Sequence, residues 1–127
     1  MSVFKSCVVA VALSTTLLLS AVAQAHPKLL SSTPAEGESN SAPVKIELHF
    51  SENLVTQFSG AKLIMTDMPG MPNSPMGVKA SVAGGSDPKT MIVTPTSPLT
   101  TGTYKVQWRA VSSDTHPITG SVTFKVK

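Results

Sequence analysis

Val44-Lys45-Ile46-Glu47-Leu48-His49-Phe50 alternates apolar and polar side chains without a break. Successive side chains of an extended chain point to opposite faces, so this period of two predicts a strand with one face buried and the other wet. Val44, Ile46, Leu48 and Phe50 make up the predicted inner face, and His49 falls on the polar one. Val122-Thr123-Phe124-Lys125-Val126 repeats the pattern near the C-terminus. Further extended runs are Lys62-Leu63-Ile64-Met65, Thr90-Met91-Ile92-Val93-Thr94 and Tyr104-Lys105-Val106-Gln107-Trp108-Arg109-Ala110-Val111. Segments rich in Pro, Gly, Ser and Asp separate them, and no segment carries a convincing helical period. In the Tyr104 run, parity turns Trp108 inward with Tyr104, Val106 and Ala110, so its default role is core packing. The expectation is an all-β fold, a β-sandwich or small Greek-key barrel.

Upstream of these runs, residues 1–25 read as a signal peptide that is cleaved. Lys5 supplies the positive start, Val8 to Leu13 and Leu17-Leu18-Leu19 the apolar stretch, and Ala23-Gln24-Ala25 the small-residue cleavage site. Ser14-Thr15-Thr16 interrupts the apolar stretch, which falls short of the roughly 20 apolar residues that span a bilayer. Cleavage leaves His26–Lys127, 102 of the 127 residues, enough for one single-core domain. It also removes Cys7, the only cysteine, so a disulfide framework and a thiolate metal site are both excluded. With Lys5 gone, 9 basic residues face 7 acidic ones, spread along the chain. So weak a balance points neither to nucleic acid nor to a membrane surface.

The new N-terminus would be His26, followed by Pro27. A terminal histidine offers a free amine and an imidazole from one residue, a chelate no internal histidine can form. Proline has no amide proton for a metal to displace, and the third residue is Lys28, not histidine. His26 must therefore bind through its amine and ring, and residues remote in sequence must complete the site. Ser112-Ser113-Asp114-Thr115-His116-Pro117 offers them. In extended geometry residues 114 and 116 point to the same side, so carboxylate and imidazole can reach one ion. Three nitrogens and a carboxylate oxygen suit the tetragonal preference of Cu(II). Glu52, in Phe50-Ser51-Glu52-Asn53, is an accessory candidate that could orient a ligand histidine or approach the metal. His49 reads as a solvated strand residue.

Met65, Met68, Met71 and Met76 stand three, three and five residues apart among turn formers. Pro69, Pro72 and Pro75 exclude a stable helix, so the segment from Met65 to Gly77, the least strand-like of the mature chain, reads as a methionine-bearing surface loop. Soft neutral thioethers favour Cu(I), although gap-filling is the other use of such residues, and Met65 is the one placed nearest the core.

Together these residues resemble the CopC/PcoC family of periplasmic copper-resistance proteins. The resemblance covers the mature chain: His26-Pro27, Phe50-Ser51-Glu52-Asn53-Leu54, Phe58-Ser59-Gly60-Ala61-Lys62-Leu63, the methionine segment, and Trp108 through Gly120. It implies an Ig-like or cupredoxin-like Greek-key sandwich or barrel holding Cu(II) at one end and, in methionine-rich members, Cu(I) at the other. Carried over by position, the Cu(II) ligands are His26 with its amine, Asp114 and His116, with Glu52 nearby. The Cu(I) ligands come from Met65, Met68, Met71 and Met76. Methionine-rich members have a histidine in the Cu(I) loop where this sequence has Asn73, so a site here would be all-thioether. The implied role is a monomeric, non-enzymatic periplasmic carrier that sequesters copper or passes it to partners such as a multicopper oxidase or an inner-membrane copper importer. Competing readings are a copper monooxygenase, which would use the same histidine brace, and an Ig-like adhesion module without metal.

Overall fold

The computed structural model describes residues 26–127, with residues 71–74 described through their backbone alone. The expected signal peptide, Cys7 included, lies outside the described residues. Among the described residues nine strands form: β1 (Leu29–Thr33), β2 (Ser39–Asn40), β3 (Ile46–Phe50), β4 (Gly60–Met68), β5 (Met71–Val78), β6 (Ala80–Gly84), β7 (Thr90–Pro95), β8 (Gly102–Val111) and β9 (Pro117–Val126). Among the described residues there is no helix, and hence none long and apolar enough to cross a membrane.

The strands assemble into two sheets, ordered β1-β3-β7-β6 and β2-β9-β8-β4-β5. Neighbours pair antiparallel except β2 with β9, which run parallel. The inner faces meet in one core. Ile46, Leu48 and Phe50 of β3 face Tyr104, Val106, Trp108 and Ala110 of β8 and Val122, Phe124 and Val126 of β9, all buried. The period-two patterns are thus used as the physics of a half-buried strand requires. Phe50 sets its ring edge-on to Trp108 with centroids 5.1 Å apart, and Tyr104 stacks on Phe124 at 5.6 Å, favoured aromatic geometries. The Tyr104 hydroxyl is satisfied by donating to the Thr100 carbonyl at 2.6 Å.

Two expectations need correction. Val44 is not on the inner face: β3 begins at Ile46, and Val44 is 85% exposed in the segment before it. The alternation outran the strand because a pattern records which residues could be buried, whereas pairing decides where the sheet starts. The methionine segment is not a surface loop but a β-hairpin. β4 and β5 are joined by Pro69-Gly70 alone, with Met68 opposite Met71 and Met65 opposite Met76. Gly70 adopts φ 83°, the left-handed region a Pro-Gly turn needs at its second residue. Pro72 and Pro75 are tolerated because β5 is a sheet edge, where a missing amide costs no ladder bond on the open side.

Candidate metal centre

The turn end of the β8–β9 hairpin and the first described residues meet at one end of the sandwich. Pro27 is among the fully buried side chains and plugs the start of the chain into the fold. Next to it, the Lys28 amide donates to Ser51 Oγ at 2.9 Å and the Ser51 amide returns a bond to the Lys28 carbonyl at 2.9 Å. Leu29 then pairs with Phe50 as β1 joins β3. His26 is therefore carried on a segment anchored within two residues of it, so its ring has little freedom to leave the site.

Asp114 and His116 sit between β8 and β9, whose last pair is Val111 with Pro117. Val111 is itself held: its amide donates to Ser59 Oγ at 3.0 Å and its carbonyl accepts from the Val55 amide at 2.7 Å. The segment 112–116 is a turn and not an extended stretch, which corrects the reason for bringing Asp114 and His116 together. The Thr115 amide donates to the Ser112 carbonyl at 3.0 Å, and Thr115 has φ 65°, uncommon for a residue other than glycine. Asp114 organises the turn from within. Its Oδ1 accepts from the His116 amide at 3.1 Å and from the hydroxyl of the buried Ser112 at 3.2 Å. A carboxylate bonding the amide two residues on is the usual way an aspartate shapes a turn.

With Oδ1 so occupied, Oδ2 points at the two imidazoles. It lies 2.5 Å from His26 Nδ1 and 3.9 Å from His116 Nδ1. The two imidazoles stand 5.5 Å apart, centroid to centroid. One donor atom from each of His26, Asp114 and His116 lies within 4.8 Å of the others, close enough for small side-chain movements to bring all three onto one ion. Desolvation pushes the Asp114 carboxyl up, but the His116 amide, the Ser112 hydroxyl and the nearby charge of His26 and His116 together outweigh it and hold the group below the ordinary aspartate value of 3.8. The carboxylate is thus kept anionic, the form a metal needs. Asp114 is 18% exposed and His116 72%, so the group opens to solvent on the His116 side. Imidazole and carboxylate donors at these distances fit Cu(II) or another borderline divalent ion.

Glu52 lies in the irregular segment after β3, partly buried, and outside the converging group. His49 projects from β3 and contacts Thr90 and Glu47, not this centre. At the hairpin, Met65 is 8% exposed and belongs to the core, Met68 packs half-buried against that core, and Met76 is 50% exposed. The Met71 side chain lies outside the described residues, so only its strand position opposite Met68 is known. Three supporting residues escaped the sequence reading: Pro27 as a buried plug, Ser51 as the clamp on Lys28, and Ser112 as the donor to Asp114. A proline beside His26 and a serine two before the aspartate were the available signals.

Known proteins bear out the fold and name its relatives. A model described as the CopC domain matches residues 29–127. Copper resistance protein C from Pseudomonas syringae pv. tomato is 80% identical over 111 residues, 87% of this chain and 88% of that protein. Copper resistance protein C from Escherichia coli is 61% identical over 106 residues, 83% of this chain and 84% of that one. The crystal structure of selenomethionine PcoC, a copper resistance protein from Escherichia coli, superposes with TM-score 0.77 at 60% identity, covering 79% of this chain and 99% of that one. A CopC from Methylosinus trichosporium OB3b superposes with TM-score 0.65 at 24% identity, covering 80% and 94%, a likeness of fold alone.

Proposed function

The chain belongs to the CopC family, and from that premise we propose that it is a periplasmic copper-resistance protein that holds copper as cargo and passes it on. The observation that carries the proposal is the convergence of His26, Asp114 and His116 within 4.8 Å on a chain of that family. Removal of residues 1–25 would free the His26 amine beside its ring, completing a brace of three nitrogens and one carboxylate oxygen for Cu(II). Glu52 would support this end as an accessory group on the strand end that Pro27 and Ser51 anchor.

At the hairpin, Met68, Met71 and Met76 would present thioethers for Cu(I), with Met65 contributing from the core side. Thioethers are soft and uncharged, so they retain Cu(I) and release it on oxidation, whereas the nitrogen and carboxylate set does the reverse. A change of oxidation state would then weaken one site and favour transfer to a partner, such as a multicopper oxidase or an inner-membrane importer. Burial of both Tyr104 and Trp108 in the core supports a carrier over a polysaccharide-oxidising enzyme, which would use exposed aromatics as a substrate platform.

Thermal unfolding of the 26–127 protein tests the reading. A ligand bound only by the folded state at about 100 times its Kd adds ~2.7 kcal/mol. For a domain of this size that raises Tm by about 10 °C or more with Cu(II). Met68→Leu with Met76→Leu should abolish the corresponding shift with Cu(I) under reducing conditions and leave the Cu(II) shift intact. No Tm response to either ion would refute the copper-carrier reading.

A further inference from the structure

His49 is the imidazole the copper centre does not use, and a chain of polar contacts fixes its chemistry. The Asp87 carboxylate accepts from the Lys89 amide at 2.8 Å and from the Thr90 hydroxyl at 3.0 Å. Thr90, only 5% exposed, has thereby committed its single proton. Towards His49 Nδ1, 3.1 Å away, its Oγ1 can only accept, so Nδ1 carries the hydrogen. In the neutral ring, Nε2 is then left with its lone pair.

Glu47 lies two residues before His49 on β3, on the same face of the strand, and its Oε2 is 3.9 Å from Nε2. That gap is too wide for a hydrogen bond, which needs about 2.7–3.2 Å. Two donors that each reach about 2.0–2.2 Å can span at most about 4.0–4.4 Å across one ion, so the pair lies within bridging reach. The other Glu47 oxygen, Oε1, is engaged by Lys45 Nζ at 3.3 Å, leaving Oε2 free to bind alone. His49 and Glu47 are both partly exposed, so water can complete a coordination shell. The Asp87-Thr90-His49 relay is the kind of support that orients a metal-ligating imidazole and fixes its tautomer.

We propose that His49 Nε2 and Glu47 Oε2 form a second, weaker site for a divalent transition-metal ion, independent of His26, Asp114 and His116. Among such ions Cu(II) binds nitrogen and oxygen donors most strongly, so it is the probe of choice. Two protein ligands with water give an exchangeable site that fills only after the braced centre is saturated.

The test follows amide resonances of the 26–127 protein as Cu(II) is added, since a paramagnetic ion broadens signals near it. The first equivalent should broaden residues around His26 and the 112–116 turn. A separate, later step should broaden Ser31, Glu47, His49 and Thr90. His49→Gln should remove the second step and spare the first. Glu47→Gln, an isosteric change at a partly exposed position, provides the same readout, and Thr90→Val should weaken the second step about 10–100-fold by breaking the relay. A single broadening step in the unaltered protein, or a second step that survives His49→Gln and Glu47→Gln, would overturn the proposal.

Discussion

Replacing Asp114 with alanine is expected to cost the 26–127 protein more than about 100-fold in Cu(II) affinity, beyond what loss of a supporting residue costs. The carboxylate acts twice. Oδ2 approaches both imidazoles, while Oδ1 accepts from the His116 amide and the Ser112 hydroxyl and so holds the turn that presents His116. Alanine removes both actions, whereas Asp114→Asn keeps an oxygen for the turn and loses only the charge. Isothermal titration should therefore rank the variants native, Asn, Ala. Equal losses in the two variants would mean that the charge alone matters. Acid sensitivity offers an independent check in the metal-free protein. A carboxyl whose folded pKa is depressed stabilises the fold above its unfolded value and loses that contribution as pH falls through the folded value. The difference in Tm between native and Asp114→Asn protein should thus be present at about pH 6 and shrink as pH falls below the ordinary aspartate value of 3.8.

The second large effect is on stability. Gly120 of β9 pairs with Trp108 of β8, and the indole lies across its Cα. A methyl group there would meet the ring at Cζ2 with no space to occupy. Ala61, on the other side, is the register partner of Trp108 on β4, and the ring also meets the edge of Phe50. With neighbours on each side the indole cannot retreat without disturbing the core. Overpacking of this kind costs about 1–3 kcal/mol, or roughly 5–20 °C in Tm for a domain of this size. Gly120→Ala should show that loss in thermal unfolding, with a red shift in the emission of Trp108, the only tryptophan. A change within about 2 °C would mean that the ring yields freely and that the glycine is there for another reason.

Which strands could be read from the sequence follows from where they sit. β3, β4, β7, β8 and β9 were each anticipated, and each has a hydrogen-bonded neighbour on both sides. Such strands bury one whole face, so their residues must alternate, as Ile46, Leu48 and Phe50 do. β1, β2, β5 and β6 were missed, and they are the four sheet edges. β1 reads Leu-Leu-Ser-Ser-Thr and β6 Ala-Ser-Val-Ala-Gly, both largely exposed, and β5 carries two prolines, so no buried face imprints a period on them. Pairing with a neighbour, which leaves no mark in composition, makes them strands. The one sequence signal of the β4–β5 hairpin, Pro69-Gly70, reads equally as part of a loop, which is how the segment was expected to fold.

At the site, the chemistry was legible and the geometry was not. His26, Asp114 and His116 are donor types that few other roles require together. Their convergence, however, depends on a turn with Thr115 at positive φ and on Pro27 seated in the core, neither of which a spacing argument supplies. The methionines were legible as a group but not as hairpin partners, because residues from 71 to 76 oppose residues from 65 to 68 only once the register is fixed.

The claim at the centre of this account is that cleavage before His26 creates a copper ligand. Electron paramagnetic resonance of Cu(II) on the protein beginning at His26, beside the same protein with one alanine added before it, tests that claim most directly. The account predicts a nitrogen-rich tetragonal spectrum for the authentic terminus, and loss of at least one nitrogen ligand with weaker binding when the alanine is present. Identical spectra and affinities for the two proteins would contradict it, because the His26 amine could not then be a ligand.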